Sequence, residues 1–151
     1  TDFNYKLLGE KKVLANTSQE VLPFHRKQGD YLPLDEKWEL VDTYVLEVTP
    51  KDPNYCYPRK LLHLNKLTFD THWTLIWDKR GEYWKEQFGM FTPVNLADGR
   101  EVWSVGDVTI VNVQNGRSTI VTSTRSYNKG YPASMFSLAT LESVMRGGSI
   151  E

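Results

Sequence analysis

Along most of this chain apolar and polar residues alternate, the period of a strand with one side chain inward and the next in water. The longest example is 38–49, where Trp38, Leu40, Tyr44, Leu46 and Val48 alternate with Glu39, Thr43, Glu47 and Thr49. Before it come runs over 3–8, closed by Gly9, and over 11–15. After it come 59–66, 71–77, 82–88, 100–113 and 117–127. Turn chemistry separates them. Pro53 and Pro58 force 51–58 to turn, because proline restricts its predecessor and donates no backbone hydrogen bond. Asp98-Gly99 and Asn115-Gly116 are strong hairpin signals, Gly81 suits a tight turn, and Gly106-Asp107 predicts either a bulge in the long strand or a break of it.

Two stretches differ. Residues 16–37 carry Pro23, Gly29, Asp30 and Pro33 with no clear period, which predicts a long wrapped connection. Near the end, Phe136, Leu138, Leu141, Val144 and Met145 share one helix face, with Ser137 placed to cap and Gly147-Gly148 to stop the run. The pattern therefore predicts an antiparallel meander closed by one amphipathic helix.

Size and charge narrow the function. A chain of 151 residues buries one core, so one domain is expected over residues 1–151. A net charge of -1, with basic and acidic residues interspersed, gives no field to gather phosphates along a face, which argues against a nucleic-acid partner. No apolar run approaches the roughly 20 residues of a membrane-spanning helix, so no transmembrane segment is expected. The chain opens at Thr1 without an initiator Met, a basic segment or an apolar one, so a secretory signal is expected to have been removed or to lie upstream. One cysteine, Cys56, excludes an internal disulfide and a cysteine-based zinc site.

Candidate chemistry is sparse. His25, His63 and His72 lack any spacing that fixes two metal ligands on one face, and Cys56 has no neighbouring base to activate it. Nucleophile elbows, P-loops and dinucleotide loops are absent. No cofactor, metal or catalytic residue is expected. Glu39, Glu47, Arg59, Asp78 and Lys85 read as solvated strand residues or as an ion-pair network across the sheet. The aromatics carry more information, with five Trp in the chain. Trp73 and Trp77 share one strand parity, Trp84 and Phe88 another, and the register decides whether the two sets form one face. That face is either the ordinary core under the helix or a concave apolar surface that accepts a greasy ligand.

The block RKLLHLNKLTFDTHWTLIWDKRGEYWK, 59–85, resembles the domain of unknown function 1329 family, through Arg59, Lys60, Thr68, Asp78, Gly81, Glu82, Trp84 and Lys85. Upstream, Leu8, Gly9, Lys12, Trp38, Glu39 and Glu47 fall in similar segments. Asn65 stands where that family has an acid, Phe69 where it has Trp and Trp77 where it has Tyr, and 54–57 lacks its His. Members of the family are longer bacterial envelope proteins that resemble the lipoprotein localisation factors LolA and LolB in fold.

The resemblance implies a mainly β, strongly curved antiparallel sheet, an incomplete barrel with the C-terminal helix on its concave side. It also implies a place in the periplasm or at the outer membrane, and a chain that corresponds to the C-terminal portion of a larger LolA-like protein. The implied activity is non-enzymatic binding or carriage of a lipid or other hydrophobic molecule. Trp38, Tyr44, Trp73, Trp77, Trp84 and Trp103 are the expected contact residues. The alternative is a structural or interaction module whose partner is another envelope protein or a missing N-terminal segment.

Overall fold

The computed structural model describes residues 2–19, 31–33, 36–96, 98–122 and 130–147. Seven strands form one antiparallel sheet in chain order: β1 (Phe3–Asn16), β2 (Trp38–Pro50), β3 (Arg59–Asn65), β4 (Thr71–Trp77), β5 (Tyr83–Asn95), β6 (Glu101–Asn112) and β7 (Arg117–Val121). A 3₁₀ turn (Ala133–Phe136) and one helix, α1 (Leu138–Met145), follow. Each strand pairs with its neighbours in sequence, as short turns between alternating segments require. The turns at Asp98-Gly99 and Asn115-Gly116 join β5 to β6 and β6 to β7. Most of the 16–37 connection, His25 and the end of the expected 117–127 strand lie outside the described residues.

Two strand boundaries differ from the sequence reading, each for a local reason. Gly9 does not end the first strand. The register of β1 on β2 shifts between Leu7 and Gly9, where φ is 147°, a bulge that glycine adopts without a Cβ penalty. Nor does the strand expected over 82–88 end at Phe88, since it runs on through Gly89 and Pro93 to Asn95. Beyond Phe88 it pairs only with β6, so its other side is an edge where a missing N–H breaks no ladder bond. The expected irregularity at Gly106 and Asp107 is present, since pairing passes from Gly89↔Val108 to Phe91↔Val105.

The helix departs furthest. Ser137 caps it, accepting from the Thr140 N–H at 3.2 Å, yet none of its residues is buried, and it packs chiefly on the 3₁₀ turn before it. Leu138 and Met145 are 79% and 80% exposed, so the apolar stripe predicted to close the sheet faces solvent instead.

What the helix does not cover, curvature partly does. In a flat sheet β1 and β4 would lie about 14 Å apart, three strand spacings. Here the Trp73 indole N–H of β4 donates to the Leu14 carbonyl of β1 at 2.7 Å. Just past β1, the Gln19 N–H bonds the Phe91 carbonyl on the free edge of β5. The Gln19 side chain then clamps Asp107 of β6, donating to its carboxylate at 2.9 Å and accepting from its N–H at 3.0 Å. The sheet is thus curled toward one face. The inner face carries the cross-strand row Val45, His63, Trp73, Phe88 and Thr109, and the outer face the row Val48, Lys60, Ile76 and Lys85. Phe88, Met90, Thr109 and Val111 are almost fully buried in this core.

Candidate functional site

The inner row brings the largest aromatics together. Trp73 lies 5.1 Å from Phe88 between ring centroids, and Trp38, where β2 starts opposite Asn16, is 6.2 Å from Trp73 and 5.8 Å from Phe88. Both tryptophans are half-buried while Phe88 is 1% exposed, so the cluster has a sealed floor and an accessible upper side. The chain neighbours of the two tryptophans, Lys37, Glu39 and His72, line a cavity of about 370 Å³ whose apolar walls are Phe91 and Trp103, the three rings themselves standing outside its lining. Its polar rim includes Thr17, Ser18, Lys37, Glu39, Asn65 and Asp70. Trp103 is 48% exposed there.

The other expected contact residues are placed elsewhere. Trp77 points to the same face as Trp73 but lies under the Arg59 guanidinium, 4.2 Å from the ring centroid, and against Tyr83 at 5.6 Å. Arg59 is held in turn by Glu47 at 2.7 Å, which resolves part of the expected charge network into an ion pair. Tyr44 is on the outer face, stacked on Phe69 at 6.3 Å with Lys66 above it. Trp84 belongs to the outer face as well, 5.6 Å from Tyr57 and 3.9 Å from the Lys85 ammonium. The extra residue in β5 between Ile76↔Lys85 and Trp77↔Tyr83 accounts for this, because a bulge breaks the parity that alternation alone would give.

Two polar groups in the cavity wall are held uncharged or paired. His72 is buried against the Phe91 ring, 5.0 Å away, with Nε2 at 3.2 Å from the Asn65 amide nitrogen. Burial pushes its pKa down, against a smaller opposing pull from Asp70. Glu39 accepts from the Thr17 hydroxyl and faces Lys37, and these contacts hold its carboxyl below the usual carboxylate range. Among the described residues no group of three or more His, Cys, Asp or Glu is placed to hold a metal ion.

Sequence reasoning missed Phe91, Gln19 and Asp107. Phe91 lies between Gly89 and Pro93, beyond the strand expected over 82–88, and Gln19 falls in a segment without periodicity. Only Asp107, beside a glycine in an apolar strand, carried a signal of its own.

These features define a curled, open antiparallel sheet with one C-terminal helix. The chain belongs to a family described as an uncharacterized protein, whose model matches residues 1–143. No curated protein matches the sequence. Among solved structures it is similar to a putative outer membrane lipoprotein-sorting protein domain from Vibrio parahaemolyticus, with TM-score 0.64 and 19% identity over 93% of this chain and 48% of that one. A DUF1329 family protein from Desulfovibrio piger gives 0.63 and 20%, over 93% and 47%. A LolA superfamily protein from Nitrosomonas europaea gives 0.55 and 17%, over 92% and 50%. The chain therefore spans about half the length of the solved structures it matches. No helix among the described residues is long and apolar enough to cross a membrane.

Proposed function

We propose that this chain is a non-enzymatic binding or carrier domain for a lipid or other hydrophobic molecule, acting in the periplasm or at the outer membrane. On this reading it corresponds to the C-terminal part of a DUF1329-type protein, and the ligand lies along Trp38, Trp73 and Trp103. The observation that carries it is the pair of half-buried tryptophans, Trp38 and Trp73, packed on the buried Phe88 beside a cavity walled by Phe91 and Trp103. The fold shared with a lipoprotein-sorting domain supports it. Ten methylenes removed from water supply about 8 kcal/mol, which corresponds to roughly micromolar binding without any polar anchor. Native mass spectrometry of gently purified protein and titration with a fluorescent fatty acid test this. Saturable uptake, weakened several-fold in Trp73→Ala and Trp103→Ala, is expected. Absence of both co-purified lipid and saturable uptake would sink the proposal.

A second reading, an interaction module of an envelope complex, is favoured by one observation. Tyr5, Leu7, Leu14 and Leu40 share the outer side of the edge hairpin β1–β2 and are each more than half exposed. Lipid uptake unaffected by Trp73→Ala and Trp103→Ala, together with partner capture abolished by Leu7→Glu, would favour that reading over the first.

A further inference from the structure

Among the described residues four basic side chains are half-buried: Arg59, Lys60, Lys66 and Lys85. Two are neutralised at once, Arg59 by Glu47 and Lys66 by Glu10, each at 2.7 Å. Lys60 and Lys85 have no such partner among the described carboxylates. Their neighbours are rings. Phe3, Tyr55, Tyr57 and Trp84 form a continuous ladder with successive centroid distances of 5.4, 5.9 and 5.6 Å. The Lys60 ammonium lies 5.4 Å from the Tyr55 centroid and 5.2 Å from that of Tyr57. The Lys85 ammonium lies 5.1 Å from Tyr57 and 3.9 Å from Trp84.

The register explains the convergence. Lys60 and Lys85 flank Ile76 on either side in the same cross-strand row, so both rise from the outer face. The 51–58 turn lays Tyr57 between them, above the buried Ile76 and Val48. Lys85 donates to the Tyr57 hydroxyl at 3.3 Å, and the phenol's own proton has no acceptor among the described residues. Two partly desolvated ammonium groups and one phenolic O–H thus share a surface where no anion among the described residues satisfies them. Ring faces return only part of the hydration the cations give up.

We propose that Lys60, Lys85 and Tyr57 form an oxyanion-binding site on the outer face. It takes a phosphate group, either free or as the headgroup of a phospholipid, with the aromatic ladder packing whatever apolar part adjoins it. Lysine acts at such sites as a point charge, and several donors around one tetrahedral anion suit that chemistry. The site lies on the opposite face from the Trp38–Trp73 cluster and does not depend on ligand binding there.

The test titrates the full chain with inorganic phosphate, followed by nuclear magnetic resonance of the lysine side chains and the Trp84 indole. A second arm sediments the protein with phosphatidylglycerol vesicles and, as control, phosphatidylcholine vesicles. Saturable shifts at Lys60, Lys85 and Trp84 support a free phosphate ligand. Selective sedimentation with phosphatidylglycerol supports a lipid headgroup. In either case K60Q/K85Q should weaken binding about tenfold or more, while K60R/K85R retains it. Failure of the wild type in both arms overturns the proposal, and so does equal binding by K60Q/K85Q. If that variant does not fold, the wild-type titration decides alone.

Discussion

Asn65 settles the chemistry of His72 through its own hydrogen bonds. Its side-chain oxygen accepts from the backbone N–H groups of Leu67 at 2.8 Å and Thr68 at 3.3 Å, which turns the amide nitrogen toward His72. The imidazole Nε2 must then accept, its proton sits on Nδ1, and protonation of Nε2 would set donor against donor. Asn65→Asp replaces that donor by an anion. His72 should then titrate above its wild-type pKa, measurable from the ring proton shifts, and an unchanged value would contradict this geometry. His63 is buried too, and burial, with a smaller push from Lys11, lowers its pKa as well. The sign for stability follows. Unfolded histidines protonate near pH 6.5 while the folded ones resist, so the unfolded state binds more protons as the pH falls. Stability should be full above about pH 6.5 and decline below it, read as a falling urea midpoint between pH 7.5 and 5. His72→Gln should flatten that slope. The sequence offered three histidines and an Asn in an acid's place, but a contact between Asn65 and His72 needs the intervening turn, which spacing does not reveal.

At the scale of elements, the seven strands were legible because alternation and turn residues agree, and 38–49 and 71–77 are nearly the observed β2 and β4. What was not legible is where local preference yields to pairing. Gly9 and Gly89 look like stops, yet each sits inside a strand whose partner continues past it. The helix is the reverse case: its stripe is legible in sequence, whereas its burial depends on a docking face that the described chain does not give it. Two substitutions separate these cases. Ile76→Ala, at a position 6% exposed between Lys60 and Lys85, should cost about 2–4 kcal/mol through lost burial and the space left behind. Leu138→Ser in α1 should change stability by no more than about 0.5 kcal/mol, because little burial is lost. Equal losses in the two variants, measured by urea denaturation, would mean that the helix face is covered in solution.

At the scale of the whole molecule, the curl rests on few contacts among the described residues. Neighbouring strands hold one another through long ladders, but β1 reaches β4 and β5 through the Trp73 indole bond and the Gln19 clamp on Phe91 and Asp107. None of these partners is close in sequence, since Gln19 and Asp107 are 88 residues apart, which is why neither periodicity nor spacing signalled them. The clamp also forms beside the site, because Thr17 and Ser18 lead into it and line the cavity wall with Phe91 and Trp103. Curvature and cavity are therefore coupled: loosening the clamp releases the 17–18 wall and lets β1 swing away from β4. Gln19→Ala removes both side-chain bonds and leaves the buried Asp107 without them, a loss of about 1–3 kcal/mol. Trp73→Phe keeps most of the inner apolar surface but deletes the indole donor, for about 1 kcal/mol. The two contacts brace the same curl from different strands, so their losses should not simply add. Hydrogen exchange should show the amides of 13–16 and 105–107 opening together in Gln19→Ala while β3–β4 pairing stays protected. Exchange that rises only at the substituted residue would mean the curl is held by the ladders themselves.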